Sequence, residues 1–273
     1  MKEKQNDQNP PSFFERLFRC CIEEQDKESE LLKSDKNSTF NKSNLIFENE
    51  SSLFPIITIL PEEKNKITFT KEGLIKYIKD LQNLVFPVIC QQDNVKISKR
   101  NYSDINDKLP IYRFEIVKHK LYFTDVPKIQ QLVNALTVPE QRKKWDSNIK
   151  EYKIMDKIKE NSEIIRIITN KQLSVIAEKE FYEKRIGIME DNVYYLFSSS
   201  IPDSNYVDHP NFGRAKNVMS ITVIKEDEDN FYFDCFNQID ANIKLPEEFI
   251  ESNLLNKINN FFNKYFEYLN KLE

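Results

Sequence analysis

The stretch PEEFIESNLLNKINNFFNKYFEYLNKL, residues 246–272, decides the fold. Within it Ile250, Leu254, Leu255, Ile258, Phe261, Phe262, Tyr265, Phe266 and Leu269 fall on one side of a helix. With the rise per residue of an α-helix, the stripe runs about 40 Å. Pro246 suits the first helical position, and Glu247 and Glu248 complement the dipole there. An apolar face of this length has to be covered by something.

The chain ahead of it offers a sheet. Runs at Glu151–Ile158, Glu163–Thr169, Lys179–Met189, Val193–Ile201, Asn217–Lys225 and Phe231–Ile239 favour β-branched and aromatic residues. Short polar turns such as KENS, EDN and EDEDN separate them, which predicts an antiparallel meander with hairpin-length gaps. Further back, Ile129, Leu132, Val133 and Leu136 return to helical spacing, and Pro139 followed by Glu140 opens a second short helix. IYRFEIVKHKLYF lies in the Val95–Phe123 region, which reads as two or three strands. Before these, Leu74, Tyr77, Ile78, Leu81 and Val85 mark a helix that Pro87 should end. The order predicts an α+β, helix-grip architecture: a curved antiparallel sheet wrapped around the long C-terminal helix, with an internal space for a ligand.

Two segments precede this domain. Residues 23–66 are rich in Lys, Glu, Asp, Asn and Ser and bury too little to order themselves, so they read as a linker. Residues 1–22 contain SFFERLFRCC, where Phe13, Phe14, Leu17, Phe18 and Cys21 share a helical face beside Arg16 and Arg19. That segment is expected to touch a membrane surface, and acylation of Cys20 and Cys21 would make the contact stable. The alternative is that it packs back onto the domain, taken as 67–273.

Composition narrows the function. A net charge of -4 over 273 residues gives no basic field for nucleic acid. Two histidines far from the four cysteines give no metal spacing, and no glycine-rich phosphate loop or nucleophile elbow occurs. Neither a metal nor a cofactor is called for, and no carboxylate pair stands out as acid and base. If the fold hosts an enzyme, Asp146 or Glu183 is the place to look. No run reaches the roughly 20 apolar residues that cross a bilayer, and no signal-peptide core is visible. Together with cysteines too sparse for a disulfide framework, this predicts a cytoplasmic monomer in a reducing compartment.

Four motifs carry a family resemblance: RKKWDSNIKEY at Arg142–Tyr152, KEFYEKR at Lys179–Arg185, HPNFGRA with Arg214, and QIDANIKLPEEFI leading into the last helix. In this order they resemble the START lipid-transfer family, especially its phosphatidylcholine-transfer branch, over about Thr70 to Leu272. The resemblance implies binding of a phospholipid in an internal cavity and its transfer between membranes; the alternatives are a membrane-tethered lipid sensor or scaffold without transfer, and an enzyme of the same architecture acting on a hydrophobic small molecule. It places Arg142 on the lipid phosphate with Asp146 in the same polar patch, and it implicates Arg185, Arg214 and, on the final stripe, Phe262. The branch's aromatic cage for choline falls near Ile165 or Arg166, at Phe181 and at Val218, so one ring of three survives. Arg166, if it faces inward, adds positive charge, which implies an anionic or otherwise non-choline phospholipid. Bland roles stand beside these: Trp145 as a core residue, and Arg185 and Arg214 as structural partners of Glu180 or Glu183.

Overall fold

Thr70 opens a helix by accepting from the Gly73 amide at 3.1 Å. The computed structural model describes residues 70–101, 109–159, 161–171, 177–201, 212–240 and 246–272. The segment with Phe13, Phe14, Leu17, Phe18, Cys20 and Cys21 and the linker 23–66 lie outside the described residues. Apart from Pro246, everything described belongs to one compact unit, Asn49–Ile243 with Glu247–Glu273. Helix α1 (Lys71–Asn83) buries Leu74, Ile75, Ile78 and Leu81. It stops before Val85, which was expected on its buried face and is instead 81% exposed. Proline disfavours helical backbone in the residue before it, so the chain is extended by the time it reaches Pro87.

Strands β1 (Val88–Gln92), β2 (Val95–Arg100) and β3 (Ile111–His119) follow. After a 3-10 turn at Lys120–Tyr122 come α2 (Ile129–Thr137) and α3 (Pro139–Trp145). The meander comprises β4 (Ile149–Lys159), β5 (Ser162–Thr169), β6 (Lys179–Glu190), β7 (Val193–Ser200), β8 (Gly213–Arg214), β9 (Lys216–Glu226) and β10 (Asn230–Asp240). Helix α4 (Glu247–Leu269) closes the chain, starting one residue after Pro246. Two elements depart from expectation. Strand β1 is an edge strand, mostly exposed, and so carries no alternation to read. The two-residue β8 pairs with β6 in parallel and breaks the run of hairpins between β7 and β9.

The sheet order is β1-β2-β3-β10-β9-β7-β6-β5-β4, with every neighbouring pair antiparallel. Strand β10 joins the meander to the first three strands, with Phe233 opposite both Ile116 and Ile224. At the β6–β7 hairpin Asp191 and Asn192 take φ of 49° and 60°. A two-residue hairpin of this kind needs left-handed backbone, and Asp and Asn tolerate it where glycine is absent.

Each face of the sheet has its own core. On one, α1 covers Ile111, Ile186, Ile188, Tyr195, Phe197, Met219, Ile221, Val223 and Phe236. On the other, Ile97, Phe114, Ile116, Ile224, Phe231 and Phe233 meet α2, Trp145 and the end of α4. Trp145 is structural: its indole N–H donates to the Ala135 carbonyl at 2.9 Å and its ring packs on Phe261 and Tyr265. Along α4 the burial is uneven. Phe262, Tyr265, Phe266 and Leu269 are buried, while Leu254, Leu255 and Ile258 are half-covered and Ile250 is exposed. Among the described residues, burial of the stripe is complete in its C-terminal half and partial before it.

Candidate functional site

Side chains alternate across a strand, so parity decides which residues reach α4. On β6, Ile186 and Ile188 belong to the core under α1. Phe181, Glu183 and Arg185 therefore project to the α4 side, and Glu180 and Tyr182 to the other. Ile165 stands opposite Glu183 on β5, and Arg166 opposite Tyr182.

The α4 side carries a band of buried polar groups. At the end of α3, the Arg142 Nε and one terminal nitrogen both lie 2.8 Å from Asp146 Oδ2. The other terminal nitrogen donates to the Leu136 carbonyl at 3.2 Å. The guanidinium lies over the rings of Trp145 and Phe261, at 4.7 and 4.9 Å. Asp146 uses its second oxygen to accept from the Asn148 amide, which fixes the turn into β4. Among the described residues, no contact uses the remaining N–H on each terminal nitrogen of Arg142.

Arg185 forms a second pair. Its Nε donates to Glu163 Oε1 at 3.0 Å, a terminal nitrogen reaches the same oxygen and the Thr137 carbonyl, and the other meets the Tyr152 hydroxyl. Burial brings this guanidinium down to about 10, still charged at neutral pH. Glu163 is directly across from it on β5. The expected partners differ: Glu180 is on the opposite face, and Glu183 bonds elsewhere.

Glu183 is the exception in the band. It is buried and makes no ion pair among the described residues; Ser198, Asn217 and the charge of Arg142 favour its charged form. Burial outweighs these and pushes its pKa up. Asn217 donates to Ser198 Oγ at 3.3 Å, while its own Oδ1 is buried without a protein partner. Strict alternation would send Asn217 to the α1 side with Met219, Ile221 and Val223. Val218 is the extra residue of a bulge opposite Gln238 and Ile239, and it returns Asn217 to the α4 side.

Several expected site residues are brought together and others are not. Arg142, Asp146 and Arg185 join one polar band, with Ile165 and Phe181 on the same side of the sheet. Phe262 packs in the aromatic cluster of Phe233, Tyr265 and Phe266. Arg166 does not face inward: it bonds Glu180 at 2.7 Å and Glu151 at 2.6 Å on the far side of the sheet. Arg214 lies over the Tyr182 ring on that same side, its carbon 4.7 Å from the centroid. Glu163, Tyr152, Ser198 and Asn217 were not anticipated as members of the band. Tyr152 lies inside the first motif, but the others needed strand register to be found.

Comparison with known proteins places this geometry. The START domain family model matches residues 96–273. No curated protein matches the chain. Among solved structures, human StAR-related lipid transfer protein 5 aligns with a TM-score of 0.61 at 15% identity, covering 72% of this chain and 93% of that one. Human STARD10 gives 0.61 at 15% identity, over 73% and 80% of the two chains. A STAR-related lipid transfer protein from Xanthomonas axonopodis gives 0.52 at 12% identity, over 68% and 99%. At such identities the structures share the fold, and the match is to START as a whole rather than to one branch.

Proposed function

We propose that this chain, which belongs to the START domain family, holds a phospholipid between α4 and the sheet and carries it from one membrane to another. The observation that carries this reading is the uneven cover of α4. Its stripe continues through Ile258, Leu255, Leu254 and Ile250, yet protein covers these residues only in part. Acyl chains are the fitting complement to such a surface. Each methylene kept from water is worth about 0.8 kcal/mol, so a shelter of this kind lowers the cost of taking a lipid out of a bilayer.

The polar band supplies the other requirement. A phosphate inside an apolar space needs charged donors, and Arg142 carries N–H groups that no described residue takes up. In this reading Asp146 and Arg185 frame the head, Phe181 lies beside it, and Arg166 and Arg214 take no part. With Ile165 and Val218 in place of rings, the head is not choline. The structural relatives are lipid transfer proteins by name, and transfer is extended to this chain on the strength of the shared family. The domain acts as a monomer, and residues 12–21 with acylated Cys20 and Cys21 hold it at a membrane. No helix among the described residues is long and apolar enough to cross one.

Native mass spectrometry of the purified full chain tests the binding step. A retained phospholipid at one per protein supports the reading. A chain that carries none, and takes up none from vesicles, sinks it.

A further inference from the structure

The connector from α1 to β1, LVFPVI at residues 84–89, turns Val85, Pro87, Val88 and Ile89 to solvent. Its backbone is nevertheless fixed. Phe86 is buried and packs edge-on against Phe236 at 5.7 Å, and the Pro87 carbonyl accepts from the Lys99 amide at 2.9 Å. The Val85 carbonyl accepts from Arg100 Nη1 at 3.4 Å. An apolar ridge is thus held outward, where a chain folding for itself alone gains nothing by placing it.

Topology gathers more apolar surface at the same end of the sheet. Strand β1 starts there, β2 ends there against the start of β3, and the start of β3 stands opposite the end of β10. The end of β10 carries the exposed Ile239. Lys99 on β2 fastens the start of α4 alongside through Glu251 at 2.6 Å, and the first turn of that helix exposes Ile250. Ile89 and Cys90 share a half-open groove with Leu255, so the ridge continues into the half-covered stretch of α4. The charges fit a lipid surface. Arg100 stands at the base of the ridge, where its guanidinium would meet headgroup phosphate while the apolar tip enters the acyl boundary. Glu248, exposed on the first turn of α4, weighs against a contact made by charge alone.

We infer that this end of the domain is a bilayer-docking face, with Val85, Pro87, Val88, Ile89 and Ile250 entering the lipid. This rests on the lipid-carrier reading above and adds where the carrier meets the membrane. Contact is made at the edge between β1 and α4, where the half-covered stripe begins, so a lipid passes between bilayer and stripe with little exposure to water. Docking is driven by apolar burial, with Arg100 at headgroup level, and is separate from anchoring by residues 12–21. The opposite end of the sheet, reached after β3, exposes Leu121 to 88% and Val126 as well. There Lys120 is tied to Glu226 and to the Asp227 carbonyl, and α4 is buried rather than open, so that end serves as a matched control.

Vesicle flotation tests the docking face. The full chain with Cys20→Ser and Cys21→Ser, which keeps acylation out of the result, is mixed with phosphatidylcholine vesicles at low and high salt. Val85→Glu/Val88→Glu should lower partitioning into the vesicle fraction at least about tenfold, with the melting temperature held because both side chains already face water. Leu121→Glu/Val126→Glu should bind within about twofold of the parent chain. Added salt should change binding by less than about twofold, since screening acts on charges and not on apolar burial. Parent-like binding by the Val85/Val88 variant overturns the docking face, and so does an equal loss in the Leu121/Val126 variant. Binding that high salt abolishes, or no binding of the parent to vesicles, overturns it too. Uptake of phospholipid from detergent solution, where no bilayer has to be met, should be equal in the parent and both variants. A chain that docks through the ridge yet takes up no lipid keeps this inference and removes the carrier reading.

Discussion

Glu163 and Arg185 face each other across β5 and β6, with the Arg185 Nε 3.0 Å from Glu163 Oε1. This pair links the sheet to α2 and β4, because the same guanidinium holds the Thr137 carbonyl and the Tyr152 hydroxyl. Removing the arginine leaves a carboxylate that burial already pushes toward its neutral form. Arg185→Met is therefore expected to cost about 3 kcal/mol. Glu163→Gln should cost less, since the amide oxygen still accepts. Urea denaturation of the two variants and the double variant checks the coupling, and additive losses would mean that the pair does not act as a unit.

A second expectation concerns Glu183 in the lipid-free protein. Its pKa is raised on folding, from an ordinary value of 4.5, chiefly by burial. Such a group binds its proton more tightly folded than unfolded. It therefore costs nothing below the unfolded value, and its cost grows as pH rises from there to the folded value. Glu183→Gln removes that cost, so the variant should gain stability over wild type progressively as pH rises above the ordinary carboxylate value of 4.5. Equal pH slopes for the two proteins in urea titrations would contradict the burial assigned to this carboxyl.

The two halves of α4 should respond differently to truncation. Phe266 packs on Phe123, Phe233 and Phe262, and Phe266→Ala should cost about 3–5 kcal/mol. Leu255 is half-covered, so Leu255→Ala should cost about 1 kcal/mol while reducing the lipid bound per protein. Thermal melts and lipid extraction separate the two effects. Leu255→Ala with full lipid content would mean that this part of the stripe does not touch acyl chain.

How much of this was legible follows from where the pattern in the sequence was one-sided. Helix α4 and the meander were readable because apolar residues sit on one face or in short runs between polar turns. Strand β5 was readable as a strand but not as a facing: in SEIIRIIT, isoleucines flank Arg166 on both sides and give no alternation to say which way it points. Register against β6 settles it. Asn217 was hidden for a related reason. The extra residue at Val218 inverts the parity that Met219, Ile221 and Val223 establish, and a bulge leaves no mark in local composition. The Arg142–Asp146 pair, by contrast, is four residues apart on a helix and could be seen directly.

Attachment through residues 12–21 makes a separate prediction. A single short amphipathic segment binds membranes marginally, and two acylated cysteines make the attachment stable. The native protein should sediment with membranes, and Cys20→Ser/Cys21→Ser should release it. Equal membrane recovery for both would remove acylation from the account, and full solubility of both would remove the anchor.

Transfer between vesicles is the most direct measurement of the central claim. Donor vesicles carry a fluorescent phospholipid with a quencher, acceptors carry neither, and the full chain is added at catalytic amounts. The account predicts that dequenching accelerates in proportion to protein and that Leu255→Ala slows it. A rate no greater than spontaneous exchange, for every phospholipid head tried, would contradict it.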